Sequence, residues 1–260
     1  MAADLLLDVT TPLGGVLLVV VGVFAGFLNT VGGGGSMLTL PVLMLLGLPA
    51  DLANGTVRPS VIGHAGLGIF LFHREGKLEI GHIGPIVAPT MIGGLLGALA
   101  ASQAPPRILG PILIVAMLTV AGLMVIRPNA LAPKGEPPLS PRDRPIAGFL
   151  ALLAAGFYGG FVQAGVGLVL LLVIAGVLRH DLVRASALKL VCALMFGVVA
   201  LGVYIWADQV VWLPALALAL GTMIGAAFGV RFAVRVRQDV LRWVVFVCVV
   251  AISIGALLRL

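Results

Sequence analysis

The chain has 260 residues, of which 61% are hydrophobic and 10% charged, with a mean hydropathy of +1.20. A soluble globular domain is roughly one-quarter charged, so this composition excludes one and points to a polytopic membrane protein with the lipid bilayer as its partner. Sixteen basic against 10 acidic residues give +6, yet the cations lie mostly in short loops between apolar runs, the signature of topology and not of nucleic-acid binding.

Asp4 and Asp8 stand where a signal peptide would be basic, so the first apolar run is expected to stay as a helix. Ten apolar segments follow in order: 12–28, 35–48, 53–72, 82–101, 107–126, 145–163, 165–178, 183–206, 211–230 and 239–259. Most reach the roughly 20 residues a spanning helix needs. The second and seventh are shorter, and each follows a glycine-containing break. Short or interrupted segments at corresponding places in two halves point to a transporter's binding site.

The two halves share more than this. GFLNTVGGGGS from Gly26 is answered by GFVQAGVGL from Gly160, ADLANGT from Ala50 by HDLVRAS from His180, and TMIGGLLG from Thr90 by TMIGAAFG from Thr222. Arg58 closes the first constellation and Lys189 the second. The fold expected is therefore all-α, with about ten hydrophobic helices in two repeats of five, residues 1–126 and 145–260. The Pro-rich charged linker 127–144 cannot continue a helix and belongs in water. If all ten segments cross, loops on one side hold twelve of the 16 basic residues, from Arg74 to Arg242, and loops on the other only Arg107 and Arg259. That asymmetry assigns the linker to the cytoplasm and both termini to the outside. Five crossings per half make the repeats inverted.

Non-helical backbone at membrane depth survives only where protein buries it or water wets it. Gly33, Gly34 and Gly35 lead into a short helix beginning near Ser36, whose N–H groups suit an anion. In the second copy Gly165 and Gly167 precede a helix expected at Leu168. Asn29 and Gln163 place an amide just before each break, able to donate to an oxyanion. The competing reading of such glycines is close helix packing, and it is the one favoured for Gly93 with Gly97 and for Gly225 with Gly229.

A charge at the bilayer centre costs about 2.5–3.5 kcal/mol on insertion scales, and nothing near Arg58 or Lys189 in sequence is acidic. Either the two snorkel to the interface, or they share a site with Asn54 and Thr56 in one copy and Ser186 in the other. Arginine holds an oxyanion bidentately and lysine supplies a point charge. All ten carboxylates fall in termini or loops, which disfavours cation transport. His64, the one histidine inside a segment and not at its edge, reads as a packed side chain or as a proton-coupling group. Cys192 and Cys248 read as core. No metal-ligand spacing, nucleophile triad or cofactor motif is present.

The residues resemble the sulfite exporter TauE/SafE family of membrane permeases. Its glycine-rich break stands here as Gly33, Gly34 and Gly35, its Pro-x-Leu as Pro41 and Leu43, and its Ala-x-Gly-Thr turn as Ala53, Gly55 and Thr56. The second copy keeps only two glycines. The resemblance implies movement of small sulfur-containing anions, such as sulfite or sulfoacetate, across a bacterial inner membrane, often outward. The residues alone reach a small anion, and leave open export down a gradient, proton- or sodium-coupled import, and a non-transporting membrane subunit. A homodimer is compatible with any of these and required by none.

Overall fold

A computed structural model describes residues 9, 11–76, 83–126, 145–180, 182–232, 247 and 250–251. All the regular structure among them is helical. In chain order the helices are α1 (Pro12–Gly32), α2 (Ser36–Leu45), α3 (Ala50–Thr56), α4 (Arg58–Arg74), α5 (Gly84–Ser102), α6 (Pro106–Ile126), α7 (Pro145–Phe161), α8 (Val166–Leu171), α9 (Leu182–Trp206) and α10 (Trp212–Phe232). A π-helical turn, Leu172–Val177, continues α8. Five of the helices contain spans long and apolar enough to cross a membrane: Pro12–Val31, Gly84–Ser102, Pro106–Leu123, Arg184–Trp206 and Trp212–Val230.

Two expected segments differ from what forms. The third, 53–72, is not one helix but α3 and α4 parted at Val57. Pro59 has no N–H for the Gly55 carbonyl four residues back, and its ring crowds that oxygen, so the helix restarts. The seventh is six α-helical residues and then the π turn, with the Leu178 N–H reaching the Val173 carbonyl at 3.0 Å. The linker, Cys248 and nearly all of the segment 239–259 lie outside the described residues.

The long helices pair through glycine. On α1, Gly22 and Gly26 lie against the Leu218 and Thr222 backbone of α10, and Gly221 and Gly225 answer against the Val19 and Val23 carbonyls. On α5, Gly93 and Gly97 lie against the Leu153 and Phe157 carbonyls of α7, while Gly156 and Gly160 lie against those of Thr90 and Gly94. Without Cβ atoms the backbones approach to contact, the close packing expected of small residues in membrane helices. Apolar side chains such as Val16, Phe24, Val115, Ile146 and Leu216 face outward, and Trp206 and Trp212 are exposed where α9 ends and α10 begins. Those are places for lipid contact and for interfacial anchors. Inside, Leu40, Leu43, Leu113 and Met117 belong to one buried cluster, and Leu152, Ile174, Cys192 and Phe196 to another. The short helix α2 contributes to the first cluster, and α8 with its π turn to the second.

Candidate functional site

The first break is three residues long. Gly33 caps α1 in the left-handed region (φ 78°), its N–H on the Asn29 carbonyl at 3.0 Å, and Gly35 precedes α2. In the second break Gly165 is left-handed (φ 76°) and α8 begins at Val166, so Gly167 lies inside the first turn and not before the helix as expected. Gln163 is also left-handed (φ 60°), a conformation that costs a non-glycine residue about 1–3 kcal/mol and persists where its surroundings impose it.

These breaks meet. The Gly165 N–H donates to Ser36 Oγ at 3.0 Å. A Cβ on Gly167 would lie 2.7 Å from the Gly33 carbonyl oxygen and 3.0 Å from Asn29 Oδ1, so only glycine fits between the strands of backbone.

Each buried cation reaches across to the other half. Arg58, at the start of α4, is fully buried. Its Nη1 donates to the Gly159 carbonyl at 2.6 Å and to Gln163 Oε1 at 2.7 Å; its Nη2 donates to the Gly160 carbonyl at 2.6 Å and to Asn54 Oδ1 at 3.1 Å; its Nε donates to the Asn54 carbonyl at 3.1 Å. All five N–H groups of the guanidinium are thereby used. Asn54 Nδ2 donates to the Phe161 carbonyl at 2.7 Å, and the Val162 N–H to the Tyr158 carbonyl at 2.7 Å. The last four carbonyls of α7, orphaned by helix geometry, are thus all satisfied. In hydrocarbon each orphan would cost several kcal/mol.

Lys189, on α9, is 2% exposed and donates to the Asn29 carbonyl near the end of α1 at 3.1 Å. That carbonyl is its one hydrogen-bond acceptor among the described residues, so two of its three N–H groups are unused. Neither cation snorkels. Among the described residues no ion pair accompanies them: Asp51 stands in the first turn of α3, and Glu75 and Asp208 at helix ends.

Beside Lys189's partner lies a small cavity between α1, α2, α4 and α10, bordered by Asn29, Ser36 and His64 and by Thr39, Ser60 and Thr222. His64 Nε2 is 3.0 Å from Thr30 Oγ1, which itself donates to the Gly26 carbonyl at 2.9 Å. With the Thr30 hydroxyl donating to that carbonyl, the tautomer with its hydrogen on Nε2 completes the chain and turns Nδ1 toward Asn29 Nδ2, 3.5 Å away. Asn29 Oδ1 is left without a partner, and so is Gln163 Nε2.

The expected residues thus fall into two groups. Asn54, Arg58 and Gln163 form one; Asn29, Gly33, Ser36, Gly165, Gly167 and Lys189 form the other, with His64 attached and Gly34 and Gly35 completing the break. Thr56 stands apart, its hydroxyl accepting from the Val211 N–H at 3.0 Å. Ser186, half-buried one turn before Lys189, joins neither group through its side chain. Sequence reasoning missed Tyr204. It is fully buried, its ring centroid lies 4.8 Å from the Arg58 guanidinium carbon, and its hydroxyl meets Asn54, Arg58 and the Gly160 carbonyl. Thr222 was visible only as part of the duplicated TMIG motif.

The model of the family described as Sulfite exporter TauE/SafE matches residues 18–256. The chain is 26% identical over 234 residues to the "Probable membrane transporter protein ORF9" of a Sinorhizobium species, covering 90% of this chain and 88% of the relative. It is 24% identical to a "Probable membrane transporter protein" of Haemophilus influenzae (87% and 88% covered) and 25% identical to the "Probable membrane transporter protein YfcA" of Escherichia coli strain K12 (85% and 81% covered).

Proposed function

Because this chain belongs to the sulfite exporter TauE/SafE family of membrane transporters, we propose that it carries a small sulfur-containing anion, such as sulfite or sulfoacetate, out across a bacterial inner membrane. The observation that carries the reading is the meeting of the two breaks. There an uncompensated ammonium with two unused N–H groups, Lys189, stands by the end of α1, and the unpaired amide of Gln163 stands in the second break. These donors outnumber the one unpaired acceptor grouped with Lys189, Asn29 Oδ1, and with the ammonium's charge they suit an oxyanion over a cation.

The halves 1–126 and 145–260 act in this reading as inverted repeats joined by a cytoplasmic linker, 127–144. The matched glycine seats of α1 on α10 and of α7 on α5, and the cations that each half lends to the other, support it. An inside-negative potential drives a monovalent anion outward by about 2.3 kcal/mol per 100 mV, so export needs no coupled ion. The site is built within one chain, with which a homodimer is compatible.

The test is flux from liposomes containing the purified protein, with a potential imposed and no pH gradient. Sulfite and sulfoacetate should pass in preference to sulfate and acetate, and Lys189→Gln should stop them. Silence toward every anion, or equal flux in Lys189→Gln, refutes the reading.

A second reading, ion-coupled uptake, is favoured by the cavity at His64. The Thr39, Ser60 and Thr222 hydroxyls donate their protons to backbone carbonyls at 3.0, 2.6 and 3.0–3.1 Å, which leaves oxygen lone pairs suited to a coupling cation or water. Flux that requires a sodium or proton gradient would favour it.

A further inference from the structure

Arg58 and Lys189 match in sequence position but not in how they are used. The guanidinium has no N–H left for a ligand, whereas the ammonium has two. An anion approaching Arg58 would have to displace the Gly159 and Gly160 carbonyls, of which only the second has another donor near it, the Tyr204 hydroxyl at 3.3 Å. Two of the guanidinium's acceptors, however, are side-chain amide oxygens, Asn54 Oδ1 and Gln163 Oε1, and the Asn54 amide nitrogen has partners of its own. Arginine only donates, so Gln163 must turn its Oε1 toward Nη1, and its Nε2 must then point elsewhere. That amide nitrogen is buried and unpaired, on a residue held at φ 60°. Strain and an unsatisfied donor on one residue mark a place kept for a ligand and not for stability.

Tyr204 fixes the guanidinium in turn. Its ring packs on one face, and its hydroxyl accepts from Asn54 Nδ2 at 2.8 Å and lies 3.3 Å from both Arg58 Nη2 and the Gly160 carbonyl. We infer that Arg58, backed by Tyr204, is a positioning residue: it aims the Gln163 amide so that its N–H groups stay free to contact the anion, and does not bind the anion itself. This rests on the anion reading above and assigns the two buried cations separate tasks.

The experiment uses the full-length protein, with sulfite and sulfoacetate as probes, and reads half-saturating concentration, maximal flux and melting temperature. Tyr204→Phe removes one hydroxyl and keeps the ring. It should raise half-saturation about 3- to 10-fold, the range of one hydrogen bond, with maximal flux little changed. Gln163→Leu should raise it at least as much. Because the hydroxyl acts through the amide, the double variant should be no worse than Gln163→Leu alone. Arg58→Lys, which cannot supply five donors, should melt below wild type without anion, whereas Lys189→Gln should keep its anion-free melting temperature and lose the rise that sulfite produces.

Shifts that multiply in the double variant would overturn the positioning role, and so would Arg58→Lys with unchanged melting temperature and abolished sulfite response. Should Arg58→Lys not fold, the Tyr204 and Gln163 pair still decides. Should wild type neither move nor be stabilised by either probe, the anion reading falls; the pin is then judged by melting alone, and equal temperatures for Tyr204→Phe, Arg58→Lys and wild type would remove it.

Discussion

Gly26→Ala tests whether α1 and α10 are in backbone contact. A Cβ at Gly26 would lie 2.8 Å from both the Thr222 Cα and carbonyl carbon, and nearer still to the carbonyl oxygen. Ordinary contact begins at 3.4 Å, so the helices must part by at least 3.4 − 2.8 = 0.6 Å. The obstacle is main chain, which has no rotamer to yield, so the overpacking cost belongs at the upper end of about 1–3 kcal/mol. Alanine returns about 0.5–1 kcal/mol of helix propensity. The net loss is about 2 kcal/mol, or about 4–8 °C in melting temperature for a chain near this size. Tryptophan fluorescence in detergent would follow the melt. Gly156→Ala, whose Cβ would meet Thr90 Cα at 2.7 Å, should lose a similar amount. Gly122→Ala on α6, with nothing within 4 Å, should hold or gain. If Gly26→Ala melts with Gly122→Ala, the two helices do not touch at this seam and the argument fails.

Ser36→Ala deprives the buried Gly165 N–H of its acceptor and should cost about 1–3 kcal/mol, read by the same melt. At Gly33 alanine would be forced into the left-handed region, with Leu171 Cδ1 at 3.2 Å and the Gly167 carbonyl carbon at 3.3 Å; a loss of about 1–2 kcal/mol from conformation alone is expected, together with slower sulfite flux in liposomes. In a Cys248→Ser background, buried Cys192 should stay closed to a maleimide until denaturant unfolds α9, and rapid labelling in native protein would contradict its packing. Collapsing the pH gradient while the potential is clamped should leave sulfite efflux unchanged, and an efflux that stops would move the coupled reading ahead.

The breaks could be read in the sequence because glycine marks itself: Gly33 and Gly165 are where left-handed backbone is needed, and α2 begins at Ser36 as expected. For Arg58 and Lys189 snorkelling and burial were both open on the sequence, and the fold buries both. What could not be read were their partners. Gly159, Gly160 and Asn29 offer backbone carbonyls, which leave no trace in residue identity, and the contact spans 101 residues in one case and 160 in the other. Tyr204 was hidden for the same reason, since one tyrosine in an apolar helix looks like any other until the guanidinium lies on its ring. The split at Val57 had a visible cause in Pro59, but the run of apolar residues around it pointed to continuity.

The crossed caps also bear on how the chain is made. When α1 leaves the ribosome, the ammonium that meets its Asn29 carbonyl is still 160 residues from synthesis. Arg58, made early, waits 101 residues for the carbonyls of α7. During that interval the first half enters the bilayer holding a guanidinium without its acceptors. The order of synthesis therefore places the greatest exposure to misassembly before α7 arrives. Two halves produced as separate chains would each carry the part that the other lacks, and neither would reach a finished fold until they met.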